Sequence, residues 1–477
     1  MPWLDFLTGI TMLTRMKAFK TFIIHDHKFN PQTLQAEFSY SFDNETHFKE
    51  TIDFACPGFT SIENPWNQIL DNLLFHLSIA LWISYYKLYP TATIEIQYWT
   101  LDQDQISFWK QFYINGLGEF FFRNNLKPFA PEFISTWSTT WWPEPTSHKD
   151  AGTFRLSTTK ALIPLGGGKD SLVSVELIKK LWIPFNTCTF GKDTPLYTQV
   201  NDVIRTPRLF IARHIDPLLF QMNKEGYYNG HVPISWIIAF TLTIAAYLYN
   251  YKYIVLSNEK SANEGNTEID WMSINHQRSK SLDFEKAFNE YTHKYISPDV
   301  KYFSLLRWMY EIRIVQEFAK YPQYFSTFSS CNRNFHIVQA QNLVSHNKIR
   351  CGKCPKCAFV YTILRPRINH EQTMQIFGKE LYEDASLAPL YRELLGISGI
   401  KPFECVGTNE EMILAMQKFY QQSTIQKKEH RLPIMEIFES EILPTMSDSD
   451  FENLEKKLIQ VYNENNIPAE IQKILPR

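Results

Sequence analysis

Residues 161–171 read ALIPLGGGKDS, an apolar run that breaks into three glycines and then lysine, aspartate and serine. Ala161–Leu165 is short and uncharged, as a buried parallel strand should be. Gly166, Gly167 and Gly168 can take positive φ at little cost, so successive backbone N–H groups can curl around an anion. From Ser171 to Leu181, Leu172, Val175 and Ile178 recur at three-residue spacing, and Val173, Leu177 and Leu181 at four. That pattern predicts an amphipathic helix whose N-terminus adds free N–H groups and the positive end of its dipole. Strand, glycine loop and helix together make a phosphate cradle, which predicts an α/β fold and points to ATP chemistry.

The kind of loop can be narrowed. A Walker A loop needs glycine where Ile163 stands, and Ser or Thr where Asp170 stands. The dinucleotide fingerprint needs its third glycine at Ser171. GGGKDS instead resembles the SGGKDS pyrophosphate loop (PP-loop) of the N-type ATP pyrophosphatases, with Gly166 in the usual serine position. The resemblance implies ATP cleaved to AMP and pyrophosphate, with adenylation of a substrate oxygen.

A chain of 477 residues suggests two to three domains. With 44% hydrophobic and 21% charged residues it has ample core for a soluble globular protein, and a net charge of −2 offers nucleic acid no global attraction. The apolar stretch Met1–Leu13 has no basic residue ahead of it and carries Asp5, which argues against a signal peptide. The twenty uncharged residues between His231 and Lys252 approach membrane-spanning length, but they include Pro233, Thr241 and Thr243 and run into strand-like Tyr253–Ser257. We read them as a buried helix with Pro233 in its first turn.

Three regions follow: residues 1–150, with mixed strands (Gln35–Phe42, Thr91–Tyr98) and helices (Asn67–Leu88, Phe108–Asn125); residues 151–370, where strands alternate with helices; and a charged, helix-rich 371–477. The stretch Thr136–Thr153 reads as a linker or covering loop. The middle region predicts a doubly wound parallel sheet, preceded by an α+β domain.

The strand Tyr253–Ser257 empties into Asn258, Glu259, Asn263, Glu264 and Asn266. Ligands of open α/β sheets lie beyond the carboxyl ends of the strands, so this loop and the glycine loop should face one crevice. Its glutamates suit Mg²⁺. The run Asn275–Ser281 adds His276 and Lys280. Cys331, Cys351, Cys354 and Cys357 have the spacing of four thiolates around one ion; structural Zn²⁺ is favoured and an iron–sulfur cluster is the competitor. Cys56, Cys188 and Cys405 lie apart and default to buried structural thiols.

IPLGGGKDSLVSVELIK, LSNEKSANEGN, SCNRNF and CGKCPKCAFVY, with SYYKLYP and INGLGEFFFRNNL upstream, resemble the UDP-N-acetyl-α-D-muramoyl-L-alanyl-L-glutamate epimerase family. The resemblance implies inversion of the terminal glutamate of UDP-MurNAc-L-Ala-L-Glu at the expense of ATP, through an acyl adenylate, for peptidoglycan. It also implies a cytoplasmic enzyme without nucleic-acid or membrane partners, linked to a muramyl ligase that adds L-Glu. Gly166, Gly167, Gly168, Lys169, Asp170, Ser171, Asn258 and Glu259 become the expected ATP and Mg²⁺ residues. His231, Glu264, His276 and Lys280 form the pool for proton transfer, and residues 1–150 the expected site for the UDP-sugar peptide. Two other readings stay open. One is an adenylating enzyme on the same fold, similar to 7-cyano-7-deazaguanine synthase or acting on tRNA; the other is a non-catalytic ATP-binding scaffold.

Overall fold

The computed structural model describes residues 17–63, 66–135, 154, 156, 158–269, 272–331, 333, 350–425 and 432–475. Met1–Leu13 and Thr136–Thr153 lie outside them. The fold is mixed α/β, built on one large sheet rich in parallel pairs.

The glycine-loop region supplies five strands: β7 (Ala161–Pro164), β8 (Phe185–Gly191), β9 (Arg208–His214), β10 (Tyr253–Leu256) and β13 (Lys301–Ser304). They lie in the order β13-β10-β7-β8-β9, every pair parallel. Alternation along these strands feeds two cores. Leu162 and Ile254 point into one apolar layer, while Ala161, Ile163, Tyr253 and Val255 point into the other. A sheet covered on both faces needs strands that are apolar throughout, which is why β10 reads YIVL with all four residues buried.

The helix Ile234–Tyr249 lies in the first layer, and most of it is buried. Its threonines do not need water: Thr241 donates to the Ile237 carbonyl at 2.7 Å and Thr243 to Ala239 at 2.9 Å. At 16 residues this helix is short for a membrane span; among the described residues one helical stretch, Gln68–Tyr86, is long and apolar enough to cross a membrane, and 89% of its window is buried inside the protein. It packs against the Ile234 helix.

Upstream strands continue the same sheet. β4 (Thr46–Asp53) pairs antiparallel with β9, followed by β3 (Gln35–Phe42) and β1 (Thr21–Ile24), with β2 (Lys28–Asn30) beside β3; β5 (Thr93–Ile96) and β6 (Glu132–Ser135) add parallel at the far edge, and β11 (Thr267–Ile269) and β12 (Met272–Ile274) form a separate antiparallel pair. Residues 21–53 and 161–214 therefore share one continuous ladder. The helix expected at Phe108–Asn125 starts earlier, because Asp102 and Gln105 form a capping box. It also breaks between Gly116 and Gly118 into Gln103–Gly116 and Gly118–Arg123.

The helices Lys169–Lys180, Glu311–Phe318, Pro355–Leu364 and Asn409–Ile425 cover the second face. From β7 the chain moves one way to β8 and β9, then returns to β10 and β13 on the other side. The order thus reverses between β7 and β10, and ligands of open α/β sheets settle at such a reversal. The glycine loop leaves β7, and the Asn258–Asn266 loop leaves β10.

Candidate active site

The glycine loop has the backbone its sequence requires. Gly167 has φ +73°, a conformation costly for other residues, and Gly168 is the extended N-cap of the Lys169 helix with no side chain capping it. Ser171 Oγ donates to the Gly168 carbonyl at 3.0 Å. Behind the loop, the Ser329 amide donates to the Gly167 carbonyl at 2.7 Å, and Ser330 Oγ stands 3.3 Å from where a Cβ on Gly168 would lie. A Cβ on Gly166 would meet nothing within 4 Å, so that side is open. Three buried hydroxyls near the carboxyl ends of the strands have no hydrogen-bond partner among the described residues: Thr194 after β8, Ser261 after β10, and Ser330. Buried polar groups are normally paired, so these three fit an oxygen-rich ligand.

Lys169, fully buried, bonds Asp170 Oδ1 at 2.5 Å and also Glu311. Lys356, from the cysteine run, reaches the other Glu311 oxygen at 3.4 Å. Burial pushes the Glu311 carboxyl up, but Lys169 and Lys356 outweigh it and hold it below the ordinary range. Asp170 is pushed up to about 6 by burial and by Glu311, despite Lys169. Glu259 is buried and is an electrostatic neighbour of Asp170, Lys280 and Lys356. Asn258 is already engaged, donating to Ser304 Oγ at 3.0 Å.

The proton-transfer candidates divide. His276 Nδ1 meets Glu119 Oε2 at 2.5 Å, His231 Nδ1 lies 3.5 Å from the same oxygen, and the two imidazole centroids are 4.6 Å apart. Arg123 Nε holds the other Glu119 oxygen at 2.7 Å. Lys280 Nζ donates to Cys405 Sγ at 3.0 Å, and His276 is an electrostatic neighbour of that sulfur. Glu264 stands apart and exposed, its carboxyl influenced by Lys401, Glu410 and Lys457.

Electrostatics in this cluster are mutually reinforcing. Burial lowers the pKa of His276, but Cys405 and Glu119 outweigh it and raise it to about 9. Burial and the neighbouring His276 push His231 down to about 3. Burial pushes the Cys405 thiol up, yet Lys280 and His276 pull it down to about 5. At neutral pH this is a thiolate between two cations.

Cys405 therefore departs from the default expected of it: it is half-buried and flanked by Lys280 and His276. Cys56 and Cys188 keep that default, being buried with thiols pushed up by burial. Glu119, Glu311, Lys356 and Arg307 were also not foreseen as site residues. Two of them sit inside stretches with a visible signature, Glu119 in INGLGEFFF and Lys356 in CGKCPKC.

The two clusters are connected. The Lys356 amide donates to Glu404 Oε2 at 3.1 Å, next to Cys405, and the Lys356 ammonium faces Glu311 beside the glycine loop. Lys356 therefore links the glycine-loop pair Lys169–Glu311 to the segment that carries Cys405.

The ligand atoms of Cys331, Cys351, Cys354 and Cys357 all lie within 4.8 Å of one another. Cys331 and Cys354 sulfurs are 3.9 Å apart, and those of Cys351 and Cys357 are 3.8 Å apart. Thiolates at about 2.3 Å from one tetrahedral zinc stand roughly 3.8 Å from each other, so the donors fit a single four-coordinate ion. Amides of Lys353, Cys354 and Cys357 point at cysteine sulfurs, which favours the thiolate form.

Comparison with known proteins adds to this geometry. Residues 13–305 match the MurL N-terminal domain and residues 327–448 the MurL C-terminal domain. A relative from Xanthomonas oryzae pv. oryzae is 32% identical over 459 residues, covering 95% of this chain and 97% of the relative. One from Salinispora tropica is 32% identical over 86% of each chain, and one from Micromonospora sp. is 31% identical over 86% of this chain and 88% of its own. All three are named UDP-N-acetyl-alpha-D-muramoyl-L-alanyl-L-glutamate epimerase. With both halves matched and relatives aligned nearly end to end, this chain belongs to the UDP-N-acetyl-α-D-muramoyl-L-alanyl-L-glutamate epimerase (MurL) family.

Proposed function

We propose that this protein inverts the terminal L-glutamate of UDP-MurNAc-L-Ala-L-Glu, consuming ATP and releasing AMP and pyrophosphate, in the supply of peptidoglycan precursor. The observation that carries the ATP part is the glycine loop with Lys169 at the head of its helix, at the reversal of strand order. The α-hydrogen beside a carboxylate anion is scarcely acidic, because its removal stacks negative charge on negative charge. An acyl adenylate removes that charge and lets the carbonyl accept electron density as an enolate. Water then cleaves the anhydride, and this exergonic step draws conversion past an even mixture.

In this reading the amides of Gly166, Gly167 and Gly168, with Lys169 and Ser171, hold the leaving pyrophosphate, and the loop is of the PP-loop pyrophosphatase kind. Asp170 and Glu259 are the carboxylates suited to Mg²⁺, which offsets phosphate charge when bound. The cysteine quartet takes a structural zinc; sulfurs this close leave no room for a multi-iron cluster. The substrate is a soluble nucleotide-sugar, so the enzyme would work in the cytoplasm after a ligase that adds L-Glu.

The test is incubation with Mg²⁺-ATP and UDP-MurNAc-L-Ala-L-Glu in heavy water. AMP release should depend on that substrate, and deuterium should enter the glutamate α-carbon. AMP without isotope would end the epimerase reading, and Asp170→Ala should abolish both signals.

A further inference from the structure

Glu119, Cys405 and the run carrying both His276 and Lys280 are three separate stretches of chain that converge on one half-buried spot. Glu119 orients the His276 ring through Nδ1, Lys280 Nζ donates to the Cys405 sulfur at 3.0 Å, and His276 is an electrostatic neighbour of that sulfur. A thiol, an imidazole and an orienting carboxylate linked in series are the arrangement that activates a sulfur. Resting on the adenylation reading, we propose that Cys405 is a catalytic residue of the epimerisation, its thiolate taking the α-proton of the adenylated glutamyl group.

The surrounding groups leave few other acceptors. His276 and Lys280 both carry a proton at neutral pH, so neither can accept one. His231 is neutral, but burial and the adjacent His276 make its cation unfavourable. The sulfur keeps its lone pairs, and Cys405 is half-buried where Cys56 and Cys188 are buried. Its neighbour Glu404 is tied through Lys356 to Glu311 beside the glycine loop.

The step balances simply. The C–H bond breaks, its electron pair becomes the enolate on the activated carbonyl, and the proton passes to sulfur to give a thiol. The enolate then takes a proton from water on its opposite face, and the thiol returns its own to solvent. Lys280 and His276 are positioning residues here, holding the sulfur anionic between turnovers.

The experiment separates adenylation from proton transfer. Substrate-dependent exchange of labelled pyrophosphate into ATP reports the first, and deuterium entry at the glutamate α-carbon the second. Cys405→Ser and Cys405→Ala should keep exchange within about threefold of native and lose deuterium entry by about 10²-fold or more. Should these variants misfold, treatment of the native enzyme with iodoacetamide at pH 6 should label Cys405, remove deuterium entry and leave exchange. Deuterium entry within threefold of native in the variants or the labelled enzyme would overturn the assignment. So would parallel loss of both signals in folded variants, or a covalent acyl group on Cys405 in quenched reactions. Absence of exchange in the native enzyme would instead remove the adenylation reading itself.

Discussion

Arg307 Nη1 donates to the backbone carbonyl of Glu259 at 2.6 Å. Its Nη2 reaches the Lys280 carbonyl and, at 3.2 Å, the Glu285 carboxylate. One fully buried guanidinium thus ties the loop after β10 to the stretch carrying His276 and Lys280. Both sides of the crevice depend on this clamp. Arg307→Met should cost about 3–5 kcal/mol, because it strands Glu285 as a buried unpaired charge. Arg307→Lys should fall between, since an ammonium cannot serve several acceptors with a planar fork. Urea unfolding of the three proteins checks the order.

Lys169 and Glu311 form a fully buried pair, with Lys356 as second cation. Lys169→Met should abolish substrate-dependent pyrophosphate release and destabilise the fold. The double variant Lys169→Met/Glu311→Gln should recover only part of the stability, because the half-paired carboxylate is gone but buried Lys356 loses its partner, and none of the activity. Equal instability of single and double variants would show that the pair is not coupled.

The cysteine quartet is joined to the glycine loop through Ser329, two residues before Cys331 and bonded to Gly167. Purified protein should carry one zinc per chain by elemental analysis. Cys354→Ser removes a sulfur that also accepts from the Cys357 amide at the start of the Pro355 helix. It should release the metal and weaken ATP binding by tenfold or more. Unchanged ATP affinity in the metal-free protein would break the proposed connection.

Glu411 is fully buried, and burial together with Glu311 pushes its carboxyl from 4.5 up to about 8, against the hydrogen bonds it accepts from Thr408 and Ile312 amides. Between those two values the folded chain holds a proton that the unfolded chain has released. Stability from this group therefore falls as pH rises from about 4.5 to about 8, by at most about 1.4 kcal/mol per unit, and is level above. Glu411→Gln should flatten that slope, as read by urea unfolding at pH 5, 6, 7 and 8.

The legible parts of this molecule were those written in local sequence. The turn at Gly166–Gly168 needs only glycine freedom and the helix that follows, and the buried Ile234 helix is visible in its uncharged length. The cysteine quartet is visible in its spacing. Cys405 carries no such mark: it is a lone residue in ordinary surroundings, brought beside Lys280 only when the 401–411 stretch folds back. Glu119 sits in a recognisable stretch, but nothing local pairs it with His276, 157 residues away. His231, His276 and Lys280 were legible as candidates but not as neighbours, and Glu264 carried the same weight in the sequence while standing outside their cluster. The division at residue 150 also could not reveal that β4 and β9 pair, because one ladder between segments 160 residues apart leaves no local pattern.

Gly116 ends the helix Gln103–Gly116 where it presses on the Ile234 helix. A Cβ there would lie 2.3 and 2.5 Å from two ring carbons of Trp236 and 3.1 Å from Pro233 Cγ. Helix propensity favours Gly116→Ala by about 1 kcal/mol at an interior position, and less at this end. Overpacking costs typically about 1–3 kcal/mol, and Trp236 has little room to retreat, being buried against Phe112 with ring centroids 3.9 Å apart. The steric loss wins. Gly116→Ala should lower stability by about 1–2 kcal/mol, and shifting Trp236 disturbs the entry to the Ile234 helix, three residues after Val232–Pro233 and next to His231. Deuterium incorporation should fall more than pyrophosphate exchange in this variant. A thermal unfolding midpoint at or above that of the native protein would show that the helices separate freely at this contact.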